Sequence, residues 1–278
     1  MKLSVTLVLA AALLTIAASA HAQTWTLVDS QNGPLVHYQI NLEANPGVPG
    51  PYPTTPDMSD VSMKTVTAGG RLCTEVTANT KPRNVYVNAL PFDKYFMKTP
   101  DGRPIGLDTY RYRFAVRLAH VPRPERVPHN YQSVEMSLQF WDGSNDLWQA
   151  NKQQVEATIY WNLAPWDKNF GEIMVYTNSP NGGLTLHDTG IRLTPDTKWH
   201  TFELTADLKR QVWDGIVIDN HANPLTGLPL LLRSHPDWGP GVFLALTAEA
   251  MNCYPGPDAG YVNQCVADFA DMKFYRKD

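Results

Sequence analysis

The stretch Val134–Trp141 reads V-E-M-S-L-Q-F-W. Val134, Met136, Leu138 and Phe140 take every second place, and Glu135, Ser137, Gln139 and Trp141 fill the places between. Period-two alternation of this kind is the mark of a half-buried β-strand. The polar side is unusual, because a plain solvated face favours Lys, Thr and Ser. A carboxylate, an amide and an indole on one side of a strand suit a sugar. The ring stacks on the apolar face of a pyranose, while the carboxylate and amide engage pairs of hydroxyls.

Other alternating runs carry residues of the same kind. In Val155–Asn162, V-E-A-T-I-Y-W-N, Glu156 and Tyr160 share one parity with Thr158 and Asn162. Glu249 ends the run V-F-L-A-L-T-A-E that begins at Val242, and Arg111 and Arg113 alternate with Tyr112, Phe114, Val116 and Leu118. If these strands lie side by side, Arg111, Arg113, Gln139 and Trp141 are candidate ligand-binding residues beside Glu135, Glu156, Glu249 and Tyr160. Three kinds of chemistry are open to such a surface. It can bind a glycan without changing it. Two of the glutamates can flank a glycosidic bond as acid and base or nucleophile, or Tyr160 can act as base and acid in a lyase while Arg113 neutralises a uronate. It can also be an ordinary charge-paired outer face.

The elements that must position these residues are nearly all strands. Alternating runs continue through Glu172–Tyr176, Thr185–Leu193, Trp199–Leu204, Val242–Met251 and Val266–Tyr275, with weaker ones before residue 90. Turn signals such as Asp142-Gly143 and Asn181-Gly182-Gly183 separate them. Only Thr205–Asp214 has helical spacing, with Leu208, Val212 and Trp213 behind a capping Thr, which predicts one short helix. Two Pro-rich connections, Asn45–Pro56 and Val121–His129, read as binding loops or edge covers. The pattern predicts an all-β, two-sheet antiparallel sandwich.

The first 22 residues read as a signal peptide: Lys2, an apolar run from Leu3 to Ala18, and the cleavage pattern Ala20-His21-Ala22. Residues 23–278 are then expected as one domain, secreted or periplasmic, with no membrane span. With 23 Lys and Arg against 27 Asp and Glu there is no concentrated basic character to imply a nucleic-acid partner. In an oxidising compartment Cys253 and Cys265, which bracket the turn-rich stretch Y-P-G-P-D-A-G-Y, are expected to form a disulfide. Cys73 is left over, most simply as a buried thiol.

The run Trp199–Leu208, W-H-T-F-E-L-T-A-D-L, resembles the W-H-x-F-x-L strand common in concanavalin A-like jelly-roll domains. The ending Asp268–Tyr275, D-F-A-D-M-K-F-Y, resembles their closing strand. The likeness runs from about Tyr110 to the C-terminus. It implies a jelly-roll sandwich and, as partner, an oligo- or polysaccharide held on the concave sheet. That superfamily includes laminin-G-like modules, carbohydrate-binding modules, and glycan hydrolases and lyases. The stretch Glu135–Gln139 keeps only the first carboxylate of the E-x-D-x-E strand of laminarinase-like hydrolases. The resemblance also implies a structural Ca²⁺ on Asp268 and Asp271, with no other cofactor required.

Overall fold

The structure is a computed structural model that describes residues 24–35, 38–43, 61–78, 86–122, 131–142, 153–234, 242–253 and 265–278. Residues 1–22, expected as a signal peptide, the loop Asn45–Pro56 and most of Val121–His129 lie outside these residues. In chain order the strands among them are β1 (Trp25–Pro34), β2 (Tyr38–Glu43), β3 (Val61–Ala68), β4 (Arg71–Ala78), β5 (Tyr86–Phe96), β6 (Thr109–Leu118), β7 (Tyr131–Asp142) and β8 (Gln153–Asn162). They continue with β9 (Glu172–Asn178), β10 (Leu184–Arg192), β11 (Trp199–Asp207), β12 (Val212–Ile218), β13 (His221–Pro224), β14 (Leu231–Ser234), β15 (Val242–Cys253) and β16 (Val266–Lys277).

Two eight-stranded antiparallel sheets form a sandwich. One runs β13-β12-β11-β6-β16-β4-β3, with β1 added beside β16. We call it the arginine sheet, because β6 carries Arg111, Arg113 and Arg117. The other runs β10-β9-β8-β7-β15-β5-β2, with β14 added beside β8, and we call it the glutamate sheet. The inward parity of each central strand builds the core. Tyr112, Phe114, Val116 and Leu118 from β6 meet Leu138, Phe140, Val155, Ala157 and Ile159 from β7 and β8, and none of the nine is more than 2% exposed. Apolar burial over so many strands is the main driving force for the fold.

The helix expected over Thr205–Asp214 is not formed. β11 runs on to Asp207, a four-residue turn follows, and β12 starts at Val212. The Asp207 carboxylate accepts from the Arg210 backbone N–H (2.9 Å) and from Arg210 Nε (2.6 Å), and Gln211 takes a positive φ of 57°. This closed turn drops Leu208 and Trp213 into the core from either side, both fully buried. Their spacing, which mimics a helix face, is produced by a hairpin.

The expected Cys253–Cys265 disulfide is corrected as well: Cys265 is a free, buried thiol. Cys253 ends β15 in the glutamate sheet, in register with Tyr131 and Tyr86. Cys265 sits just ahead of β16, where its carbonyl accepts from the Ala78 amide at the end of β4 (2.8 Å). The Cys265 thiol is turned instead to the Ser133 carbonyl of β7 (4.0 Å). Cys73 is also a free, buried thiol, as the sequence suggests.

Candidate functional site

Strand register decides which candidates meet. On β7 the outward side chains are Glu135, Ser137, Gln139 and Trp141. Their partners on β8 are Tyr160, Thr158, Glu156 and Gln154, and on β15 they are Glu249, Thr247, Ala245 and Phe243. Six of the eight sequence candidates for the glycan face therefore share the outer face of the glutamate sheet. Arg111 and Arg113 do not. They lie on β6 of the arginine sheet, on the far side of the sandwich.

The carboxylates are deeply placed: Glu135 and Glu156 are each 3% exposed and Glu249 is 7% exposed. Glu135 is held by hydroxyls rather than by a cation. Ser133 Oγ donates to Oε1 and Tyr176 OH to Oε2, both at 2.8 Å. Burial and the neighbouring Glu249 push its pKa well above the usual carboxylate range, against the pull of these two donors. Tyr176 is displaced upward too, by burial and by the Glu135 charge. Its ring stacks on Tyr160 with centroids 6.4 Å apart.

Glu156 has a different setting. Thr158 Oγ1 donates to Oε1 (2.7 Å), Gln154 Nε2 to Oε2 (3.3 Å), and Arg233 Nη2 lies 3.6 Å from Oε2. Burial raises its pKa while Arg233 opposes the shift. Gln139 Nε2 reaches the same carboxylate at 3.5 Å. At the other end of the row Trp141 stacks on Phe243, with centroids 5.0 Å apart and planes 18° from parallel, and Phe243 meets Phe96 of β5 at 5.8 Å. Phe96 is 63% exposed. The face thus runs from a carboxylate pair, through a polar middle, to an aromatic shelf that opens to solvent.

Spacing assigns these carboxylates different capacities. Directly opposed residues of antiparallel strands hold their Cβ atoms about 4.5–5.5 Å apart. Glu135 and Glu249 are such a pair, near enough for one charge to raise the pKa of the other. Glu156 lies opposite Gln139 and is four residues along from Glu135, roughly 13 Å at 3.3 Å per residue.

Asp268 and Asp271, the expected calcium ligands, are each held by an arginine. Arg117 Nη1 lies 2.6 Å from Asp268 Oδ2, and Arg71 Nη1 lies 2.9 Å from Asp271 Oδ2. Among the described residues no group of three or more His, Cys, Asp or Glu gathers to hold a metal ion. The two aspartates do not fit a calcium site as they stand, because a cation would have to displace both guanidiniums. His200 is held at both ring nitrogens by carboxylates. Its Nδ1 lies 2.6 Å from Asp219 Oδ2 and its Nε2 3.0 Å from Asp196 Oδ1, which pins two turns.

No protein family matches the sequence, and no curated protein does. Among solved structures the chain is similar to an endo-beta-1,4-glucuronan lyase from the fungus Trichoderma reesei, at 12% identity and a TM-score of 0.48, covering 90% of this chain and 95% of that one. It is similar to an alginate lyase from a Chlorella virus at 11% identity and a TM-score of 0.42, covering 78% and 89%. It is also similar to the acidic lectin of winged bean at 10% identity and a TM-score of 0.40, covering 92% and 98%. Such distant likenesses leave the chemistry to the side chains.

Four contributors to the face escaped the sequence reading. Tyr176 stands two places after Met174 on a strand read as far as Tyr176, and the same alternation places it beside Tyr160. Phe243 has the parity of Glu249, so that signal was present. Arg233 lies on the four-residue strand β14, too short to show any period. Phe96 closes β5, whose Pro91 and Lys94 blur the alternation.

Proposed function

We propose that this protein binds an oligo- or polysaccharide along the outer face of the glutamate sheet. One observation carries the reading: Glu135, Gln139 and Trp141 lie in one row on β7, with Glu156 opposite Gln139 on β8, and the row ends in an aromatic shelf of Trp141, Phe243 and the exposed Phe96. Rings of this kind stack on sugars, and the polar middle of the row supplies acceptors and donors for hydroxyls. The arginine sheet offers the contrast. Part of its outer face is paired charge to charge, Lys64 with Glu75 (2.9 Å) and Arg111 with Glu203 (3.3 Å), whereas Glu135 on the glutamate sheet is held by hydroxyls. An exported protein meeting extracellular glycans is consistent with the leader sequence.

The register of Glu135 and Glu249 supports a second reading, in which the bound glycan is hydrolysed. Glu135, held protonated by burial and by Glu249, would donate its proton to the glycosidic oxygen as the bond to the anomeric carbon breaks. Glu249, ionised beside it, would attack that carbon, and water would then release the sugar with Glu135 acting as base. The lyase version has less support, because Arg113 lies on the other sheet and cannot neutralise a uronate beside Tyr160.

The test is a glycan-array screen of the protein, followed by a reducing-end assay on every hit and on Glu135→Gln. Binding that weakens in Trp141→Ala without product establishes a lectin-like role. New reducing ends that vanish in Glu135→Gln establish hydrolysis. Absence of binding to any glycan overturns both.

A further inference from the structure

We propose that the arginine sheet carries a separate pit for a small oxyanion. The cavity holds about 350 Å³ and is lined by Arg71, Arg113, Lys273, Asp271, Thr201 and Ala115, among others. Its depth comes from register. Ala115 of β6 lies opposite Thr201 of β11, and these two short side chains leave a hollow in the sheet face between the longer ones around them. The walls are cationic. Arg113 and Lys273 are direct partners on neighbouring strands. Like charges placed opposite one another weaken a sheet.

The nearby acids are already engaged elsewhere. Glu203, also in register with Arg113, faces Arg111 Nε at 3.3 Å. Asp271 accepts from the Gly33 amide (2.8 Å) and pairs with Arg71 (2.9 Å). Among the described residues Arg113 and Lys273 have no ion-pair partner. On a protein of net charge −4 this is a local excess of positive charge around a hollow. A sulfate, phosphate or carboxylate group fits that chemistry. The Arg113 fork can take two of its oxygens, the Lys273 ammonium a third, and the Thr201 hydroxyl can donate from the floor. This site lies on the opposite sheet from the glycan face and does not depend on that reading.

The oxyanion can be a free ion or a group carried on a sugar, and calorimetric titration at constant ionic strength separates the two. Sodium sulfate is titrated in one arm; glucose 6-sulfate and glucose are titrated in the other. We expect saturable sulfate binding at one site, weakened about tenfold or more in Arg113→Gln and in Lys273→Gln. Lys198→Gln, which alters an exposed lysine outside the pit, leaves it unchanged. Glucose 6-sulfate binding more tightly than sulfate, with glucose silent, identifies a sugar-borne group; equal affinities identify the free ion. Far-UV circular dichroism of each variant verifies folding. Absence of saturable heat with both sulfate and glucose 6-sulfate overturns the proposal, as does equal affinity in the folded variants and the wild type. In that case the facing cations are only a local strain on the sheet, and Lys273→Gln raises the melting temperature with sulfate present or absent.

Discussion

Glu135 and Glu249 stand directly opposite each other on adjacent antiparallel strands, both buried, with Glu135 anchored by hydroxyls from Ser133 and Tyr176. Two carboxylates so placed cannot both ionise cheaply, so one proton is shared between them in effect. The pair has a cost in stability that can be measured.

The folded-state pKa of Glu135 lies above its unfolded value. The folded state therefore binds more protons than the unfolded one between the two values, and stability falls as pH rises through that window. The contribution is full below the ordinary glutamate range, near pH 4, and is lost on the way to the raised folded value. Each unit of displacement corresponds to about 1.4 kcal/mol. We expect thermal unfolding of the wild type to show a falling melting temperature from about pH 4 upward, and Glu135→Gln to flatten that slope. An unchanged slope in a folded Glu135→Gln protein would mean that the buried pair imposes no such cost.

The aromatic shelf separates binding from folding. Phe96 is mostly exposed, so Phe96→Ala should leave the melting temperature within about a degree or two of wild type, as surface changes do. An aromatic contact contributes about 0.5–1.5 kcal/mol beyond its buried area. Loss of the ring should therefore weaken binding of a glycan hit several-fold, and Trp141→Ala should do so at least as strongly. Equilibrium titration of both variants decides the matter. Unchanged affinity in both would remove the shelf from the site.

The period-two patterns made the two-sheet architecture legible, because each slip of one residue would turn a strand's aliphatic side to solvent. Parity also assigned Glu135, Gln139 and Trp141 to one side of their strand. Parity says nothing about which strands share a sheet. The clean alternation of Arg111 and Arg113 was read correctly as a strand, yet that strand belongs to the opposite layer. The turn at Leu208–Gln211 was illegible for a related reason: the helix-like spacing of Leu208 and Trp213 arises from tertiary packing, and Gln211 at positive φ gives no warning in its residue type. The cysteines misled because spacing in sequence does not say where a thiol points, and the Cys265 thiol is turned to the Ser133 carbonyl of β7.

The thiols give a direct check on that correction. Burial pushes Cys265 up to about 12 and Cys73 up to about 11, so neither supplies appreciable thiolate at neutral pH. Both should resist maleimide labelling in the native protein and react within minutes in denaturant. Adding a reductant should leave the melting temperature where it was. A drop of several degrees on reduction would show a cross-link holding the fold.

Arg117 and Asp268 make the most demanding prediction. Asp268 is fully buried on the arginine sheet, between Glu75 on β4 and Arg117 on β6 in register. Burial raises its pKa and the hydrogen bond from Arg117 lowers it, with burial the larger effect. Removing one partner of a buried pair strands the other charge, at a cost of about 3–5 kcal/mol. Arg117→Ala should therefore lower the unfolding free energy by roughly that amount in urea, with part of the loss recovered by Asp268→Asn in the same chain. The recovery matters more than the loss. Cavity formation alone would make the double variant no better than the single one, whereas a stranded carboxylate is relieved by the amide. A double variant as unstable as Arg117→Ala would show that the Arg117 side chain acts by packing beside its register partner Trp199 and not by neutralising Asp268.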